Sequence, residues 1–470
     1  MKLFASLFLL FTIIGMAGHT YAGGVLTLDD CIRLALQNRA SIIAAQGAEN
    51  LAKADQLAAL GAFLPRVDAS YRYGKTKSRN IKSDFEVVDS ALFVARSVEV
   101  YDPVGDSTFI VQGVVDSVLG RSIREFELPD QDRTSKSLNF TAQLSVFNLP
   151  NVFNYASSKA YRAKAHLDVI GAEQDLILSV KVSYYKYLAF KENISVQKEA
   201  VARSKEQLKL IQSKYDLGSA SRSDLLKQKV RLGNDQLALL EAQNSVTTGK
   251  AELAYTIGID PNSDVEFSTD YKMNEISESL QEAMAYGLEH KPSVLSINKL
   301  VDAVKNNKRM QKAGYLPTLS AFGTLGYSDG TRGDTVTFNQ SDRSTTIGFQ
   351  VNWNIFDGFW RERKVTSAKV DYNNALARRA DERNLTAQRI KTAYLDIQRL
   401  KEKKSVSKEN VEAAEEDLKI TQEKYNLGAA TILDLLDAQV SLKQAQVSLI
   451  QADFDLNLAI AELNNAMGKR

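Results

Sequence analysis

The chain has 470 residues, 44% hydrophobic and 25% charged, with 59 basic against 57 acidic side chains and a formal net charge of +2. That length allows two to four domains, and the near-neutral balance, without a basic patch interleaved with aromatics, gives no argument for nucleic acid. A lone cysteine, Cys31, excludes an internal disulfide and is expected to be a buried free thiol, while only seven prolines favour long uninterrupted helices.

Lys2, the apolar run Leu3 to Met16 and Thr20-Tyr21-Ala22 before Gly23 read as a secretory signal over residues 1–22, cleaved after Ala22. No cysteine at that point supports a lipid anchor. No later apolar run approaches ~20 residues, which excludes a helical membrane protein.

The mature sequence is a duplication. LALQNRASI around Leu36 matches YGLEHKPSV around Leu288, and AFLPRVDA at Pro65 matches GYLPTLSA at Pro317; both pairs stand 252 residues apart. Further on, KYDLG ending at Gly218 matches KYNLG ending at Gly428, and Gly258 matches Gly468, each 210 apart. The offset changes once, and the extra length falls between the two strands of the first half. The repeats are residues 23–258 and 277–470, joined by a linker at 259–276 that contains Asp260-Pro261-Asn262. Each repeat reads helix, strand, loop, strand, very long helix, turn, long helix.

Four short segments alternate with a period of two, as strands with one apolar and one polar face do. They are expected at about 66–77, 137–147, 318–328 and 345–356. In the last, Ile347, Phe349, Val351, Trp353 and Ile355 alternate with Gly348, Gln350, Asn352 and Asn354. In the third, Gly323 lies on the apolar face and Phe322 opposite it. Such segments suit either hairpins half-buried on an ordinary core or membrane strands, which need ~9–11 residues, apolar towards lipid and polar towards a lumen.

The helices favour the second. Leucine recurs at 435, 442, 449, 456 and 463, and alanine at 438, 445, 452, 459 and 466. A sustained seven-residue repeat with small residues is a coiled-coil pattern, and Leu225, Leu232, Leu239, Val246 and Leu253 echo it in the first half. The long helices, Val152 to Leu217 and Gly358 to Leu427, would each reach ~100 Å, and the shorter Ala40 to Ala62 and Ser221 to Gly258 about 35 and 57 Å. Two short pieces end to end match one long rod. Four strands are too few for a membrane barrel, which starts at eight, and an open edge in lipid costs several kcal/mol per unpaired group. Several copies must therefore share one barrel. The arithmetic allows two, three or four.

These elements make the fold class mainly α with membrane β. In them the chain resembles the TolC-type outer-membrane channels of Gram-negative bacteria, over essentially all of the mature sequence. The resemblance rests on Leu64-Pro65 and Leu316-Pro317 before the first strand of each repeat, on WNIFDG at 353–358, and on the paired KY-x-LG turns, the second leading into TILDLLDAQ. It implies a homotrimer with a twelve-stranded barrel in outer-membrane lipid and a coiled-coil α-helical barrel crossing the periplasm. It also implies docking to a periplasmic adaptor and an inner-membrane transporter, with small toxic molecules or secreted proteins as cargo and no cofactor.

Carried over by residue, the resemblance places Asp434 and Asp437 in acidic rings at the periplasmic mouth. Six carboxylates in a trimer would attract cations and raise some of their pKa values. Asp224 and Tyr425 match the closing network, and Ala430 stands where the best-known member's pattern has an arginine that reaches the aspartate. Arg222 is the nearest substitute, and a leakier resting pore is the expectation. Leu217, Gly218, Leu427 and Gly428 form the helix-tip turns expected to meet the adaptor. A further departure is the insert 78–135, extracellular by topology, with eleven acidic and six basic residues; it is a cover for the outer mouth, a surface recognition element, or a variable loop with no role in transport.

An enzyme is not expected. His166 and His290 are the only histidines after the leader, and the chain has no nucleophile motif, metal-ligand spacing or glycine-rich phosphate loop. The remaining alternative is an exported coiled-coil structural or adhesive protein whose hairpins only cap the rods.

Overall fold

The two periodicities separate into two units in the computed structural model, which describes residues 25–78, 81–102, 104–105, 107–128, 131–269, 278–332 and 343–469. The expected leader, 1–22, and parts of the linker and of the second strand-strand loop lie outside the described residues. In chain order the elements are β1 (Val25–Leu26), α1 (Leu28–Asn38), α2 (Ala40–Gly61), β2 (Arg66–Ser78), β3 (Ile81–Asp102), β4 (Ser107–Leu128), β5 (Gln131–Phe147), α3 (Leu149–Asp216) and α4 (Arg222–Ile257). They continue with β6 (Glu266–Phe267), α5 (Leu280–His290), α6 (Pro292–Ala313), β7 (Thr318–Arg332), β8 (Arg343–Asn352), α7 (Trp360–Asn426) and α8 (Ile432–Met467). One unit gathers Gly61–Leu149 and Tyr315–Ile355, and the other holds the helices.

The β unit contains a four-stranded antiparallel sheet in the order β2-β5-β7-β8. Its register sorts side chains into rows. Val67, Ala142, Gly323 and Ile347 lie abreast, as do Ala69, Phe140 and Leu325. On the opposite face Asp68, Thr141, Thr324 and Thr346 form a polar row. The exception is Phe322, whose ring lies 3.0 Å from where Gly348 would carry a Cβ, so a side chain at 348 would press on the ring. Along the apolar row Ile347 is 84% exposed, Phe349 75% and Val351 65%. The apolar row of β8 is not half-buried on a core.

Several strand limits differ from expectation: β5 starts at Gln131 and β7 runs on to Arg332, beyond the expected 137 and 328. β8 ends at Asn352 although the alternation runs on to Ile355. The partner of Trp353 in this register would be Pro317, which has no N–H for the ladder, and the Trp353 indole instead donates to the Tyr315 carbonyl at 3.2 Å. The insert has regular structure of its own. β2 and β5 pair Ser78 with Gln131, and β3 and β4 resume at Ile81 with Leu128 in the same register. The insert is a prolongation of the first hairpin by two 22-residue strands, with irregularities at Val88/Ser90 and Arg96/Ser97.

In the helical unit, α3 and α7 have 68 and 67 residues, about 100 Å each at ~1.5 Å per residue. The heptad positions of α8 point inward: Leu435, Leu442, Leu456, Leu463, Ala438, Ala452, Ala459 and Ala466 are all buried. Ala459, Leu463 and Ala466 pack against Ile390, Ala393 and Ile397 of α7, with Ala283 of α5 completing the cluster. A second cluster joins Cys31 and Leu34 of α1 to Tyr184 and Leu188 of α3, Leu253 of α4 and Phe267 of β6. Burial pushes the Cys31 thiol up to about 12, so it is an inert core residue. β1 and β6 pair in parallel, Val25 with Glu266 and Leu26 with Phe267, a two-residue ladder with too little pattern to be read from sequence.

The duplication extends to the punctuation of the helices. Thr27 and Asp30, Ser221 and Asp224, Ser279 and Glu282, and Thr431 and Asp434 each form a reciprocal capping box. Gly258 and Gly468 end α4 and α8 in the left-handed region, at φ 77° and 82°.

Candidate functional site

Two turns built alike bring together the residues expected to gate the channel. Gly218 and Gly428 both sit at φ +76°, where a side chain would be strained. Just beyond them the Ser219 and Ala429 N–H groups each donate at 2.8 Å to the carbonyls of Lys214 and Lys424, the Schellman closure of a helix end. The glycine lets the chain reverse, and the capping box starts the next helix within three residues. The leucines carried at the tips, Leu217 and Leu427, are 83% and 84% exposed; neither stabilises its own turn by burial.

Below the tips, Ile211, Leu225, Ile432 and Leu435 form a small core with Leu418 and Tyr425 against it, so all four long helices meet here. Beside that core lies an open cavity of about 740 Å³ lined by Lys214, Asp224, Lys227, Tyr425 and Ala430 among others. Asp224 and Tyr425 are thus brought together. Burial, and then the Asp224 charge, push the Tyr425 phenol above its usual pKa. Arg222 is exposed and does not line the cavity. The cation on Tyr425 is Lys214, whose ammonium sits 4.6 Å from the ring centroid. Lys214 therefore stands beside Tyr425, in the cavity that Asp224 also lines.

Asp434 and Asp437 are both exposed and one turn apart on α8. Asp434 also closes the α8 cap: its carboxylate accepts from the Thr431 N–H and hydroxyl, both at 2.8 Å. Those bonds hold it below the usual carboxylate range, the opposite direction from the one a ring of six carboxylates would impose. The duplication adds a point that sequence reading missed. Asp224 and Asp434 are one position repeated, whereas the position of Asp437 is held in the first repeat by Lys227.

A second group was also missed. Asp235 of α4 is 1% exposed. It accepts from the Ser204 hydroxyl of α3 at 2.6 Å, and is paired with Arg231 and with Lys443 of α8 at 3.0 Å each. This buried node ties three long helices together. Its partners lie up to 208 residues from Asp235 in sequence, and no local motif announces it.

His166 is exposed beside Glu49, and His290 stacks on Tyr286 at 4.2 Å. Among the described residues, no three of His, Cys, Asp or Glu are grouped to hold a metal, and no helix is long and apolar enough to cross a membrane.

Comparison with known proteins bears on these features. The model of the outer membrane efflux protein family matches residues 31–258 and 287–469. The outer membrane efflux protein BepC of Brucella suis is 23% identical over 57% of this chain and 58% of its own length. The alkaline protease secretion protein AprF of Pseudomonas aeruginosa is 22% identical over 65% of each. The chain thus spans somewhat under two thirds of these relatives. In fold it is similar to the outer membrane protein VceC of Vibrio cholerae, with a TM-score of 0.73 at 19% identity, covering 94% of this chain and 96% of that one.

Proposed function

The chain belongs to the outer membrane efflux protein family, and from that membership we propose that it is the outer-membrane channel-tunnel of a tripartite export system. It is a passive conduit in the outer membrane of a Gram-negative bacterium, extending into the periplasm. Three copies supply twelve strands to one barrel, and their helices form the tunnel below it. An adaptor grips the tips at Leu217, Gly218, Leu427 and Gly428, and an inner-membrane transporter supplies the work. Cargo is small toxic compounds or secreted proteins, the two classes suggested by relatives named for efflux and for protease secretion.

The observation that carries this reading is the sheet. Ile347, Phe349 and Val351 share a face with Val67, Tyr71 and Phe140, all exposed, while the opposite face, Phe322 and the glycines apart, is polar, with Asp68, Arg72, Asn139, Thr141, Thr324 and Gln350. Its outer strands, β2 and β8, have no partner on their far sides among the described residues. In lipid such edges must be closed, and copies of the same chain close them. The stripe Leu226, Val230, Leu237 and Leu240 on α4 is likewise exposed, a seam suited to a neighbouring copy.

At the periplasmic mouth, Asp434 and Asp437 of each copy face the pore, and Lys227 offsets part of their charge. Asp224, Tyr425 and Lys214 hold the resting tip. Without an arginine at Ala430 this hold is weaker, and the resting pore leaks. Purified protein in a planar bilayer tests the whole reading. Stepwise, cation-selective conductance, with selectivity reduced by D434N/D437N, is expected; a protein that partitions with the membrane but never conducts contradicts it.

A further inference from the structure

The stretch just after β8 holds a cluster that the gate and the barrel do not use. Phe356, Phe359 and Trp360 are 71%, 69% and 51% exposed. Phe356 and Phe359 meet edge to face, with centroids 5.5 Å apart. Phe359 is the single non-glycine residue at positive φ among the described residues, at +66°. A bulky side chain there is strained, and such strain persists where function requires the residue. Glycine or asparagine would make the same turn without strain. A large ring held strained and exposed fits an apolar surrounding that is not protein.

Charge sits directly behind the rings. The Arg363 guanidinium lies 4.9 Å and the Lys364 ammonium 5.5 Å from the centroid of Trp360. Arg361 differs from both: it is mostly buried and paired with Asp357 at 3.0 Å. Arg363 and Lys364 are exposed and have no ion-pair partner among the described residues; Glu362 precedes them in sequence. A tryptophan flanked by two unneutralised cations, next to two exposed phenyl rings, has the chemistry of a membrane interface: rings at acyl depth, cations at the phosphate level.

We propose that Phe356, Phe359, Trp360, Arg363 and Lys364 form a binding site for an anionic phospholipid headgroup in the periplasmic leaflet. Arg363 and Lys364 hold the phosphate, and the three rings lie against the glycerol and upper acyl carbons. The site rests on the outer-membrane reading above. It adds a preference for lipid charge, which an aromatic anchor alone does not have.

Trp353 and Trp360 are the only tryptophans in the chain, so W353F leaves Trp360 as the sole reporter. The full-length protein is reconstituted in phosphatidylcholine vesicles containing a fraction of brominated phosphatidylglycerol or, separately, brominated phosphatidylcholine. Quenching of Trp360 is expected to favour phosphatidylglycerol by roughly five-fold for each of the two cations. R363Q/K364Q should abolish that preference while leaving conductance intact. Equal quenching by both lipids overturns the headgroup site, and so does no quenching in a protein that conducts. Failure of the W353F protein to partition into vesicles or to conduct overturns the channel reading, and this inference with it.

Discussion

The two helical hairpins, α3 with α4 and α7 with α8, share one plan and differ in what they bury. Both close on a left-handed glycine and restart on a capping box. In the second, the α8 interior is a ladder of leucine and alanine. In the first, Phe190 lies against Gly249, 2.9 Å from where a Cβ would stand, and an aspartate is buried. At the node the repeats diverge: Gly233 and Asp235 stand where the second repeat has Lys443 and Ala445. At the tip, Arg222 and Lys227 stand where it has Ile432 and Asp437. Duplication kept the residues that turn the backbone. It released those where unlike repeats meet, and at the node opposite charges were placed against each other.

The sharpest way to break that comparison is at the node. Removing Asp235 leaves Arg231 and Lys443 largely buried without their counter-charge, so D235A should destabilise the protein by about 3 kcal/mol in denaturant or thermal unfolding. Lys443→Met leaves Asp235 with Ser204 and Arg231 and should cost less. The double variant should recover part of the loss, and strict additivity would mean that the bridge between the hairpins is not a coupled unit. Next come the turns. G218A and G428A each force an alanine into the left-handed region and should cost about 1–2 kcal/mol. A large inequality would break the equivalence of the tips.

The caps are a smaller lever. S221A should cost about 1 kcal/mol. Asp434, held below its usual pKa by Thr431, stabilises the fold fully above the unfolded carboxylate value. That contribution is lost as pH falls through the lowered folded value, below pH about 4. T431A should flatten this acid limb in melting temperature against pH. If assembly raises Asp434 above the unfolded value instead, the sign reverses, stability is lost as pH rises from the unfolded to the folded value, and the ring outweighs the cap. The smallest effect is at the mouth: K227D makes the repeats alike and should shift the reversal potential towards cations, and D437K away from them.

Much of this was legible because periodicity is a property of sequence. Alternation at Ile347, Phe349 and Val351 located a strand, and the seven-residue spacing of Leu435 to Leu463 located a buried seam. The four capping boxes were equally visible as Ser or Thr three residues before Asp or Glu, at positions the duplication relates in pairs. Other features had no local signal. The stop at Asn352 depends on Pro317 across the ladder. The prolonged hairpin of β3 and β4 alternates too irregularly to be read. Lys214 meets Tyr425, and Asp235 meets Lys443, only because helices distant in sequence pack together. A hint was available in hindsight: a charged residue in one repeat, facing glycine or alanine in the other, marks a position released from the common plan.

Site-directed spin labels at successive positions from Thr346 to Val351, in protein reconstituted in bilayers, test the membrane sheet most directly. Labels at 347, 349 and 351 should be accessible to oxygen dissolved in lipid, and those at 346, 348 and 350 to a water-soluble nickel chelate. The same accessibility at all six positions would contradict a sheet with lipid on one face and a wet lumen on the other.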